Sequence, residues 1–227
     1  NLQTKRATTE GVQGEANASV GSFATKVLQA NMVGRSDDID YSLAGGDIKS
    51  DGARANGDAS LQNAMGKLTK KIDRNWSVGG SFLSVNNEAG DPGKNTLSTY
   101  AYNHLLTDPT PKSNGVARNI SKTNLLTAFV THEHAGWKGE LKIYQNTGEN
   151  NLTQDPVWGN FVSKFDMSGF KLREEFVPWT NGKMVAGIDQ DSVSGSINGA
   201  GSNGTKDVPT FRITSPYAGY SHAVQMG

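Results

Sequence analysis

The clearest pattern in the chain is alternation of small or apolar residues with polar ones. From Val12 to Val20, Val12, Gly14, Ala16, Ala18 and Val20 interleave with Gln13, Glu15, Asn17 and Ser19, a strict period of two. A break at Gly21-Ser22-Phe23 leads to a second strand, Thr25 to Val33, with Leu28, Ala30 and Met32 on one face. Gly34 to Asp38 reads as a turn. Ile39 to Ile48 then sets Ile39, Tyr41, Leu43 and Gly45 opposite Asp40, Ser42, Ala44 and Gly46. Further strands are predicted over Leu61 to Ile72, Trp76 to Val85, Thr123 to Glu133, Trp137 to Asn146, Ser163 to Phe176, Lys183 to Asp191 and Phe211 to Met226. Pro216 sits inside the last of these and cannot donate to a ladder, so an edge, a bulge or a shifted boundary is expected there.

About ten strands result, and their connections sort by length. The breaks near Asp37, Arg74, Ala135 and Trp179 are short, whereas those near Asn56, Pro109, Asp155 and Gly201 are long and polar. Segregation of this kind belongs to an antiparallel transmembrane β-barrel, with brief turns at one rim and extended loops at the other. Tyr41, Trp76 and Trp137 begin or nearly begin strands leaving short turns, which places them in an interfacial aromatic girdle. The fold class predicted is therefore all-β.

Composition agrees once this is considered. The mean hydropathy is −0.54, and no apolar run of about 18 residues, the length of a spanning helix, occurs. Alternating strands dilute hydropathy because every second residue faces away from lipid. The 27 glycines suit an all-β chain better than helices. The absence of cysteine excludes disulfides, thiol nucleophiles and cysteine-bound zinc. With 22 basic and 22 acidic residues there is no general attraction to nucleic acid, which is not an expected partner.

No catalytic constellation emerges. His132-Glu133-His134 puts two imidazoles on one strand face without a third ligand, so it reads as a polar strand end rather than a metal site. Asp189-Gln190-Asp191 lacks the glycine and glutamate spacing of a calcium loop and reads as a strand end with solvated acids. Glu174 and Glu175 point to opposite faces and cannot form an acid/base pair. Gly66-Lys67 and the glycine-rich segment near Gly199 match neither a phosphate loop nor a nucleophile elbow. We expect a non-enzymatic protein without a cofactor.

Asn1-Leu2-Gln3-Thr4-Lys5-Arg6 resembles the last plug strand and barrel entry of TonB-dependent outer-membrane receptors. Similar in order and spacing are Val33-Gly34-Arg35, Asp40-Tyr41-Ser42-Leu43-Ala44-Gly45-Gly46, Lys49-Ser50-Asp51-Gly52, Asn75-Trp76-Ser77-Val78-Gly79 and Asn87-Glu88-Ala89-Gly90-Asp91-Pro92-Gly93. The resemblance implies that residues 1–6 end a plug domain. Residues 7–227 would form the N-terminal portion of a larger plugged barrel of 22 strands, in the bacterial outer membrane. It further implies uptake of a metal chelate, such as a ferric siderophore or cobalamin, energised by the inner-membrane TonB complex through the plug. Its partners would be that ligand, the TonB complex and the lipid bilayer. Tyr100, Tyr102, His104 and Trp158, in long loops, are the candidate ligand contacts. Two alternatives stay open: a passive porin or small barrel complete in itself, and a secreted β-sandwich binding module.

Overall fold

A computed structural model describes residues 10–91, 117–155, 159–199 and 204–222. They form β1 (Gly11–Val20), β2 (Lys26–Ser36), β3 (Ile39–Ser50), β4 (Ala59–Lys71), β5 (Trp76–Gly90), β6 (Arg118–His134), β7 (Trp137–Asp155), β8 (Gly159–Phe176), β9 (Gly182–Gly199) and β10 (Lys206–His222). All ten pair antiparallel with their sequence neighbours in one sheet, which does not close. β1 and β10 are its edges, and every residue of β1 is exposed.

The alternation read from the sequence becomes two chemically distinct faces. One pairing row runs Val12, Gly34, Tyr41, Leu68, Gly80, Ala128, Ile143 and Phe170 across eight strands. Its neighbours on the same face are Ile39, Val78, Val130, Leu141, Leu172 and Ile188 on one side, interrupted by Lys70 on β4, and Met32, Leu43, Phe82 and Leu126 on the other. Although apolar, this face is open: Leu126 is 63% exposed and Ile143 55%. The opposite face carries Arg35, Asp40, Thr127, Lys142, Lys171 and Asp189. Its polar members Ser42, Thr127 and Glu175 are nonetheless buried. An apolar exterior and a screened polar interior invert the arrangement of a soluble sandwich and match a barrel wall in lipid.

Short turns gather at one rim. Asp37 takes a left-handed φ of 48° and closes the β2–β3 connection in two residues. In the next turn Asp73 Oδ1 accepts from the amides of Asn75 and Trp76, at 2.7 and 2.8 Å. Gly136, at φ 74°, closes β6 to β7, a conformation that costs glycine little. Each turn is fastened onward: Lys71 N donates to Asp38 O, Glu133 N to Asn75 O and Val177 N to Gly136 O. The strand ends thereby step from hairpin to hairpin, the stagger that a tilted barrel requires.

At the other rim the strands run further than their pattern indicates. β5 continues to Gly90 and β6 starts at Arg118, β7 reaches Asp155, and β9 reaches Gly199. Thr147 to Val162 is therefore mostly strand, and the connection near Asp155, expected to be long, spans three residues. Beyond the apolar band both faces meet water, so polar residues occupy both and the period of two disappears while the ladder continues. Gly34 to Ser36 likewise belong to β2 rather than to a turn. Pro216 lies opposite Ile188 in the edge strand β10, and the register shift falls between Val208 and Phe211, around Pro209.

The upper rim is braced by the 51–58 connection. Asn56 Nδ2 donates to the carbonyls of Asp91 and Ala117, at 2.8 and 2.9 Å, on both flanks of the β5–β6 connection. Arg118 holds Asp58 at 2.7 Å and Glu88 at 2.6 Å. The Arg118 hydrogen bond pulls the Asp58 carboxyl below its ordinary range, against the opposing effect of desolvation. A depressed carboxylate stabilises the fold at neutral pH and loses that contribution as acid drops through its folded-state value. Asp58→Asn at pH 7 should accelerate hydrogen exchange at Gly57 and Gly90 up to about fivefold, given roughly 0.2–1 kcal/mol for an exposed pair. Wild type should show the same acceleration only below the usual carboxylate range, about pH 4; equal rates in both proteins at pH 7 would show that the brace is inert.

Gly79 marks a place of close packing on the inner face. A Cβ there would lie 2.4 Å from both the Leu68 carbonyl oxygen and the Phe129 ring, and Phe129 in turn lies 5.1 Å beneath Lys67 Nζ. Because one of the clashing atoms is backbone, a rotamer change cannot relieve it. Gly79→Ala should destabilise the chain by about 1–3 kcal/mol, seen as a lowered thermal midpoint by circular dichroism. An unchanged midpoint would mean that the β4–β5–β6 contact is looser than described.

Candidate functional site

Tyr100, Tyr102, His104 and Trp158 lie outside the described residues, as do residues 1–6. What the structure does assemble is a charged wall on the inner face of β7, β8 and β9. These strands pair residue for residue, so inward positions line up across them: Tyr144–Gly169–Asp191, Lys142–Lys171–Asp189, and Glu140–Arg173. Lys171 Nζ reaches Asp189 at 2.9 Å, and the Tyr144 hydroxyl donates to Asp191. The two aspartates are thus mid-strand partners in a ladder, not the solvated strand end expected from Asp189-Gln190-Asp191. Gly169 leaves the space that Tyr144 and Asp191 occupy: a Cβ there would meet Asp191 Oδ1 at 2.9 Å and the Tyr144 hydroxyl at 3.0 Å.

Towards the short-turn rim the wall ends in a knot around Glu175, which is buried. Its carboxylate receives Lys183 at 2.8 Å, Arg173 at 3.2 Å and Lys138 at 3.3 Å. Three cations on one carboxylate leave local positive charge, partly offset by Glu140, which pairs with Lys142 at 2.7 Å. A cleft of about 860 Å³ opens here, and Lys71, Arg74, Lys138, Arg173, Glu140 and Glu175 are among its lining residues. Sequence reading passed over these groups because lysine and glutamate in a strand ordinarily signal a solvated face. The usable signal was parity, since Lys71, Lys138, Glu140, Arg173 and Glu175 all occupy inward strand positions.

Glu174 and Glu175 do diverge to opposite faces as expected. Glu174 lies outside, accepting from the Trp137 indole at 2.7 Å and contacting His132 Nε2 at 3.0 Å. His132, expected in a polar strand end, is in fact buried among rings: it is 8% exposed, 5.1 Å from the Trp76 ring and 4.4 Å from the Trp137 ring. Together with His134 and Phe176 these rings form the girdle predicted for Trp76 and Trp137, whereas Tyr41 lies higher, over Gly34. No cluster of three or more metal-binding side chains occurs among the described residues. The arrangement offers paired charges, hydrogen-bonding groups and a polar-lined cleft, which suits contact with a polar solute or a polar protein surface.

No protein-family model matches the sequence, and no curated protein matches it either. Solved structures do match in fold. The copper transporter OprC aligns with a TM-score of 0.74 at 13% identity, over 98% of this chain and 36% of its own. The *Pseudomonas aeruginosa* receptor FpvA, in complex with a heterologous ferric pyoverdine, aligns at 0.71 and 9% identity, over 87% of this chain and 30% of its own. PiuA, a siderophore receptor from *Acinetobacter baumannii*, aligns at 0.69 and 11%, over 94% and 38%. The chain thus spans about a third of the length of the proteins it resembles. Its ten-strand antiparallel sheet has the fold of a stretch of barrel wall from the TonB-dependent outer-membrane receptors.

Proposed function

We propose that this chain is the N-terminal portion of the barrel of an outer-membrane TonB-dependent transporter that takes up a metal chelate, such as a ferric siderophore or cobalamin. The observation that carries the reading is the two-faced sheet, apolar outside and charged inside, whose fold recurs in transporters and receptors of this kind. The apolar band supports it. On β6 the band runs from Leu126 to His134, the nine or so residues that a membrane-crossing strand needs. β7 extends from Gln145 to Asp155 beyond it, roughly 30 Å of additional wall on the side of the long connections.

In this reading residues 1–6 are the end of the plug, and the charged wall of β7–β9 faces the plug or the passing ligand. Energy would come from the inner-membrane TonB complex acting on the plug, and no covalent chemistry takes place. Tyr100, Tyr102, His104 and Trp158 are the proposed ligand contacts in the loops.

The test is uptake by the full-length protein. A deletion strain complemented with the gene should regain accumulation of radiolabelled ferric siderophore, cobalamin or copper against a gradient, and lose it when the energy-transducing complex is deleted. Uptake that only equilibrates, and ignores that deletion, would identify a passive pore and overturn the proposal. Alanine at Tyr102 or Trp158 should weaken binding of the chelate identified in this way by about fivefold to thirtyfold, as loss of one aromatic contact of roughly 1–2 kcal/mol implies.

A further inference from the structure

The outer-face cluster at the short-turn rim is more than a ring of aromatics, and we infer that it binds the primary ammonium headgroup of a zwitterionic phospholipid. The inference rests on the outer face lying in lipid. Glu174 is the anomaly that prompts it. In the outward-facing rows from His134 up to Leu126, it is the one carboxylate among the described residues. A carboxylate at an apolar surface is costly unless it is partnered.

Two donors already hold it. Trp137 Nε1 donates at 2.7 Å, and His132 Nε2 contacts the same oxygen at 3.0 Å. A carboxylate has about four acceptor positions, so capacity remains. His132 Nδ1 also lacks a hydrogen-bond partner, but it is buried beneath the rings and out of a ligand's reach, so the open acceptor positions are those of Glu174. Around these groups stand the π faces of Trp76 and Trp137, 39% and 42% exposed. The components open to a ligand are electron-rich: a carboxylate and two indole rings. Their common complement is a cation carrying several N–H donors. A primary ammonium suits both, donating to the carboxylate while lying against an indole face. A quaternary ammonium has no N–H to give.

Position narrows the source of the cation. Phe176 and Trp137 stack at 6.0 Å one outward position below Glu174, at the end of the apolar band, where aromatic rings sit at headgroup depth. The cation that is concentrated at that depth is a lipid headgroup.

The test uses the full-length protein in detergent, with native mass spectrometry against equimolar phosphatidylethanolamine, phosphatidylcholine and phosphatidylglycerol of identical chains. Wild type should retain phosphatidylethanolamine roughly threefold to tenfold over the other two. Glu174→Gln, which keeps the side-chain shape, should bring phosphatidylethanolamine down to the phosphatidylcholine level, and Trp137→Phe should reduce the preference without abolishing it. Wild type without a preference, or Glu174→Gln retaining it in full, would overturn the site. Vesicle insertion, read from heat-modifiable gel mobility, separates this from the membrane reading: insertion without lipid preference removes only the headgroup site, while failure to insert removes both.

Discussion

Everything in this structure depends on pairing backbone N–H and C=O groups where no water can replace the partner. A strand whose outer side chains lie in hydrocarbon must find every hydrogen bond in its neighbours, because each unsatisfied group costs several kcal/mol. That requirement forces the ten strands into one continuous meander and fixes their register. A slip of one residue would turn Leu126, Ala128 and Val130 inward and Thr127 and Phe129 outward. The turn-to-strand hydrogen bonds at the lower rim, such as Glu133 N to Asn75 O, prevent that slip at its most vulnerable place.

The same constraint explains what the sequence made legible. Where one face is apolar and the other polar, alternation is enforced, so all ten strands were found in order and the short turns were marked by Asp37, Asp73 and Gly136. Above the band the ladder persists while the reason for alternation ends. Thr147 to Asp155 and Ser192 to Gly199 therefore looked like loop, although β7 and β9 run through them. The charged wall was harder to read for a related reason. Asp189 and Asp191 acquire their meaning from Lys171 and Tyr144, which are 18 and 47 residues away in sequence, and no local pattern reports on such partners. Parity did place Glu174 and Glu175 on opposite faces.

Those two neighbouring glutamates show how a membrane wall sorts chemistry. Glu175 is buried against three cations beside a charged cleft, and among the described residues it is the most heavily compensated carboxylate of the inner face. Glu174, one residue away, is held by an indole and an imidazole among aromatic rings. Identical side chains thus serve two solvents, and the difference comes wholly from which way the pleat turns them.

The meander also has a kinetic side. Since every strand pairs with its sequence neighbours, no hairpin has to wait for a distant segment, and the growing sheet always presents one edge as a template for the next strand. Loop closure then sets the uneven cost of growth. Joining β5 to β6 spans 27 residues, against two for β2 to β3, an entropic difference of about 2 kcal/mol. The first five strands can therefore zip together as one block and β6 to β10 as another, with the seam between Gly90 and Arg118 closing last and the Asn56 and Arg118 contacts fastening it once it has closed.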